Sequence, residues 1–251
     1  MLFNTPLVAV LCIAMIISCR KDPKPLQPNN NRLLLRVAAA DNNKVDKFQY
    51  DAQGQVIRFF YYRGYGDTAH QEYTYKNNRL HKIIHYNAEF SEYFYAGDTL
   101  KKMEISDVND GVTNYVTYSY RNGKLDEEQT YHRENGQWVP QQKRTYDYDA
   151  KGNVHKIDTY LGPDLQGTIE YARYSDHPDP LEGIIQQKYT KGLPRCVEKE
   201  IHYDGWGNIE WTTEYTYEYD AKGYPLKRET ISRNPDNNVL ARYTVFYSYA
   251  N

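Results

Sequence analysis

Cysteine is scarce in this 251-residue chain: of Cys12, Cys19 and Cys196, only Cys196 lies outside the apolar N-terminal stretch. One thiol builds neither a disulfide framework nor a cysteine zinc site, so Cys196 reads as a buried structural thiol. A basic block is also missing. The 31 Lys and Arg are interspersed with 33 Asp and Glu for a net charge of −2, which argues against a nucleic-acid partner. No long helical period runs through the chain, so a layer of covering helices is not expected. No P-loop, dinucleotide fingerprint or nucleophile elbow occurs. His81 and His85 have no cysteine or carboxylate at ligand spacing and read as surface residues. Residues 107–111, Asp-Val-Asn-Asp-Gly, place glycine fifth and lack the later glutamate of a calcium loop, so they read as a turn. The expectation is a protein without cofactor, metal or catalytic residues.

What the chain has is tyrosine: 27 residues against 7 Phe and 3 Trp, at a mean hydropathy of −0.87. Tyrosine suits a half-wet sheet face, because its ring stacks while its hydroxyl reaches a partner. Much of it recurs in one pattern. Tyr148-Asp-Ala-Lys-Gly152 returns as Tyr219-Asp-Ala-Lys-Gly223 and, with one change, as Tyr50-Asp-Ala-Gln-Gly54. Tyr146 and Tyr148 share a strand face, Asp149 starts a turn through its side chain, and Gly152 supplies a left-handed corner. Val154 then opens the return strand. Looser copies begin at Tyr75, Tyr95, Tyr120, Tyr174, Tyr203 and Tyr249. The spacing of roughly 20–30 residues is that of a repeat architecture.

Tyr-Asp-x-x-Gly-x-aliphatic-x-basic resembles the YD repeat of Rhs-type bacterial proteins, and the resemblance covers nearly all of residues 48–249. It implies antiparallel strand pairs winding into a long curled sheet, which in the largest members encloses a C-terminal toxin. This chain ends at residue 251 with no cargo domain, so the resemblance bears on fold. The expected architecture is all-β: a repetitive antiparallel meander forming one long, twisted, curled sheet, open or partly closed. Strands are expected from 33–40 to 239–249, one of them near 184–189. Repeat turns should sit on one edge and variable loops on the other. The copy at Tyr203 breaks this plan, because residues 209–219 hold no turn residue.

Residues 1–18 read as an export signal, with an apolar run over 7–17 that is too short to span a bilayer as a helix. Ile16-Ile17-Ser18-Cys19 resembles the lipobox of bacterial lipoproteins, which implies cleavage before Cys19 and acylation there. Residues 19–32, with Pro23, Pro25 and Pro28, form a tether, and 33–251 form the repeat domain. The functional expectation is a lipid-anchored protein of the bacterial outer membrane or envelope, meeting the membrane through its anchor and binding a protein or glycan without catalysis. Trp206 and Trp211, where the repeat departs from its pattern, are the candidate ligand contacts. The alternatives are a glycan-binding lipoprotein, a hydrolase of polysaccharide or cell wall, and a remnant or accessory of a YD-repeat toxin system. Short strands with charge on both faces disfavour a membrane-spanning barrel.

Overall fold

The computed structural model describes residues 33–40, 45–64, 67–181 and 195–250. The signal, Cys19, the tether and the strand expected near 184–189 lie outside the described residues. Sixteen strands follow in chain order among the described residues. The first eight are β1 (Leu34–Ala39), β2 (Val45–Tyr50), β3 (Val56–Gly64), β4 (Asp67–Lys76), β5 (Arg79–His85), β6 (Glu89–Ala96), β7 (Thr99–Asp107) and β8 (Gly111–Arg121). The others are β9 (Lys124–Glu134), β10 (Gln137–Tyr148), β11 (Val154–Leu161), β12 (Asp164–Tyr174), β13 (Val197–Asp204), β14 (Ile209–Tyr219), β15 (Pro225–Arg233) and β16 (Val239–Tyr249).

Each strand pairs antiparallel with its sequence neighbours, and β1 also pairs with β16, so the meander closes into a barrel. An open or partly closed sheet was the expectation; closure is complete. The reason lies in β1, whose two backbone edges are both used, through Leu34↔Tyr249 and Val37↔Tyr247 on one side and Val37↔Asp46 on the other. Without it, β2 and β16 would each present an unpaired edge.

The repeat turn is a self-contained hydrogen-bonded corner. Asp149 Oδ1 accepts the Lys151 amide at 2.9 Å and the Asn153 amide at 2.8 Å. The Gly152 amide donates to the Asp149 carbonyl at 3.0 Å, and the Asp149 amide to the Asn153 carbonyl at 2.9 Å. Gly152 has φ +90°, which costs a side-chain-bearing residue about 1–2 kcal/mol. Asp51, Asp204 and Asp220 repeat all four bonds. The strand register slips by one just before Tyr50, Tyr148 and Tyr219, the bulge that such a loop brings.

In a meander, successive turns alternate between the two ends. The turns after Tyr50, Tyr75, Tyr95, Tyr120, Tyr148 and Tyr219 share one end, here the tyrosine rim. Their tyrosines point inward, and hydroxyls reach back to the preceding hairpin. Tyr75 donates to the Val56 carbonyl, Tyr95 to Leu80, Tyr148 to Leu125, Tyr174 to Val154 and Tyr249 to Pro225, while Tyr50 closes the ring on Leu34. These bonds measure 2.5–3.0 Å. Each of these six tyrosines thus stitches its own strand to the start of the strand before it, and so ties one hairpin to the preceding one.

Tyr203 explains the apparent break in the repeat. Its turn, 204–208, lies at the opposite end, the far rim, and Tyr203 points outward, donating to Glu170 Oε2 at 3.1 Å. The aspartate corner works at either rim. The inward tyrosine belongs to one.

Inward side chains form the core. One cluster joins Leu34, Phe48, Phe59, Tyr73, Met103 and Tyr247; another joins Leu125, Tyr146, Val154, Tyr171 and Val197. The β12–β13 connection adds to it. The Cys196 amide donates to the His177 carbonyl at 3.0 Å, and its thiol to the Pro178 carbonyl at 3.2 Å. The His177 ring stacks on Tyr219 at 3.9 Å between centroids, and Leu181 packs against the cluster that holds Leu34 and Tyr247. Residues 175–181 therefore reach from β12 across to the wall where the barrel closes.

Candidate functional site

The two faces of the barrel differ in chemistry. Every one of the sixteen strands supplies an inward side chain no more than 9% exposed, from Leu34 on β1 through Met103 on β7 to Tyr247 on β16. A barrel of this strand number can hold a water-filled lumen; at this level the lumen is instead packed.

The outer face carries charge along the middle of the strands. Arg58 pairs with Glu72 across β3–β4 at 2.6 Å, and Lys82 with Glu92 across β5–β6 at 3.9 Å. Lys199 pairs with Glu214 at 3.5 Å, and Lys227 with both Glu218 and Glu229 at 2.8 and 2.7 Å. Such exposed pairs contribute about 0–1 kcal/mol each. Charges of both signs stand on this face beside exposed apolar side chains such as Ile84, Phe94 and Phe246.

The inner face also holds polar groups toward the far rim, chiefly on the β13–β14 hairpin. In the register, His202 opposes Trp211 and Glu200 opposes Thr213. Glu200 Oε1 accepts the Tyr215 hydroxyl at 2.7 Å and lies 3.0 Å from His202 Nε2. The His202 ring stacks on Trp211, with centroids 4.4 Å apart. Burial, and then the Glu200 charge, push the Tyr215 hydroxyl well above its ordinary pKa. Nearby, Glu128 opposes Arg144, and burial followed by Glu128 raises Tyr146 in the same way. Across the barrel, His85 takes Gln71 on Nδ1 and Ser91 on Nε2, both at 3.0 Å. His85 is therefore an inner residue with both ring nitrogens used, and the surface reading is corrected.

The two candidate tryptophans part company. Trp206 is 89% exposed at the tip of the 204–208 turn, where its amide donates to Asp204 Oδ1 at 2.9 Å. Gly205 beside it leaves no room for a side chain, because a Cβ would come within 2.2 Å of the Leu165 carbonyl oxygen. Trp211 turns inward onto His202, so the two candidate indoles lie on different faces of the barrel wall and do not form one surface. Sequence reading missed the Glu200–His202–Tyr215 group. Its signal was the period-two alternation on either side of the 204–208 turn, which places 200, 202, 211, 213 and 215 on one face.

Chemically, the cluster is a hydrogen-bond network in which one oxygen of Glu200 serves both Tyr215 and His202. Among the described residues, no group of three or more His, Cys, Asp or Glu is placed to hold a metal ion. Cys196 is fully buried, and burial pushes its thiol up to about 12, which keeps it protonated and unreactive at neutral pH.

Fold and faces together define a closed, sixteen-strand antiparallel meander barrel with a packed interior and a charged exterior. Among solved structures it is similar to a porin-like protein from Bacteroides uniformis, with a TM-score of 0.61 and 15% identity over 87% of this chain and 96% of that one. A porin-like protein from Bacteroides vulgatus gives 0.59 and 14%, over 88% and 99%. At such identities the likeness is one of fold. No protein-family model matches the chain, and no curated protein does.

Proposed function

We propose that this is a lipid-anchored protein of the bacterial envelope, held at the outer membrane through Cys19, whose barrel is a non-catalytic interaction body standing in water. The observation that carries the reading is the outward charge at mid-strand. Each Lys or Arg facing lipid at the bilayer midplane costs about 2–4 kcal/mol, and Arg58, Lys82, Lys102, Lys143 and Lys199 all face outward. In this reading the membrane is met by something other than the barrel wall. The lipobox-like Ile16-Ile17-Ser18-Cys19 supplies it, since more than one acyl chain gives stable anchoring where a single chain is marginal. The packed interior speaks for a scaffold rather than a conduit. The test is detergent-phase partitioning of the full-length protein against Cys19→Ala: the wild type is expected in the detergent phase and the variant in the aqueous phase. Identical partitioning of the two would remove the anchor.

A further inference from the structure

The two ends of the barrel have opposite surface chemistry. Each rim has six fully described hairpins, and those of the far rim share a feature. Tyr86, Val108, Leu161, Trp206 and Val239 are exposed large apolar residues lying in a turn or directly beside it. The remaining far-rim hairpin, β9–β10, offers Trp138 one position further along its strand. At the tyrosine rim, none of the six hairpins places such a residue in or directly beside its turn; Ile57 and Leu226 stand one position further in. Isolated apolar surface residues need no explanation, but a ring of them restricted to one end does.

Charge separates the rims again. Counting each turn with one flanking residue on either side, the far rim carries seven carboxylates against one cation, Arg233. Apolar and acidic residues travel together there: Val108 with Asp107 and Asp110, Leu161 with Asp164, Val239 with Asp236. The same count at the tyrosine rim gives six Lys or Arg against four carboxylates.

The chain's own route orients this dipole. Leu33 accepts the Ala250 amide at 2.8 Å, and Leu34 opposes Tyr249, so the segment leading back to Cys19 leaves from the tyrosine rim. The basic rim thus stands on the anchor side, where anionic headgroups attract it. The acidic, apolar-tipped rim is at the other end, and anionic lipid repels it.

We infer that the far rim is a docking surface for a protein partner whose contacting face is cationic and apolar. This rests on the interaction role proposed above and gives it a place and a partner chemistry. Apolar tips enter pockets on the partner, carboxylates around them set orientation and speed encounter, and Trp206, held by the 204–208 corner, is the largest anchor.

The experiment is photo-crosslinking of full-length protein in the cells that make it. A photoreactive residue is placed singly at Val108, Leu161 or Val239 on the far rim, and at Asn122 or Lys222 on the tyrosine rim. The expected result is one discrete protein adduct common to the far-rim positions, its linked segment basic and apolar by peptide mapping. Its yield should fall by roughly tenfold or more when Asp164→Lys and Asp236→Lys are combined, and stay level with Lys76→Glu and Lys222→Glu combined. All variants are first required to keep the wild-type melting temperature. Lipid adducts at the far rim, an acidic linked segment, indifference to charge reversal, or adducts from the tyrosine rim alone would each overturn the docking inference while leaving an interaction role standing. Absence of adducts from both rims would sink that role as well.

Discussion

Asp179 lies within the 175–181 segment, largely buried, with Oδ1 accepting the Leu181 amide at 2.7 Å. Burial raises its carboxyl to about 6, opposed by that bond and by the Arg228 charge. An unfolded aspartate titrates near ~3.9, so the folded state holds the proton more tightly and stability falls as pH rises from about 4 to about 6. The other titratable groups around it are Cys196, Tyr217, Tyr247 and Tyr249, all raised by burial and neutral in this range. Asp179→Asn keeps the shape and removes the titration. It is expected to raise the melting temperature at pH 7.5, by a stability gain of about 3 kcal/mol at most, and to leave it unchanged at pH 4. Equal melting at both pH values for wild type and variant would show that Asp179 ionises without cost.

At the scale of the hairpin, the tyrosine hydroxyl divides the repeat into a turn and a clasp. Tyr75→Phe, Tyr95→Phe and Tyr148→Phe each delete one bond to the preceding hairpin and leave a carbonyl short of a donor, at about 1 kcal/mol apiece. Tyr203→Phe, whose hydroxyl bonds on the outer face, is expected to cost close to nothing. Denaturant unfolding of the four variants checks this, and a uniform response would erase the distinction between the rims. The corner itself was legible in the chain, because its four bonds join Asp149, Gly152 and their copies to residues within four positions. Strand order was legible for the same reason: every turn is short except that between β12 and β13. Two features were not. Closure depends on β1 meeting β16 across more than two hundred residues, and no local residue announces it. The inward aim of Trp211 depends on the register set by the 204–208 corner, which a count of turn types alone does not supply.

For the whole molecule, the packed interior separates this barrel from a conducting one of equal strand number. Purified full-length protein added to planar bilayers is expected to produce no stepwise conductance; regular steps would mean that the inner side chains part to admit water. The closing strand has a mechanical consequence. β1 is six residues long, bonded on both sides, and continuous with the segment that leads to Cys19. A pull through residue 33 acts along the strand, so its bonds to β2 and β16 are loaded together in shear instead of being unzipped one after another. With the anchor proposed at Cys19, this six-residue strand is also the mooring of the barrel, and it transmits tension at the rim where turn tyrosines bind neighbouring hairpins.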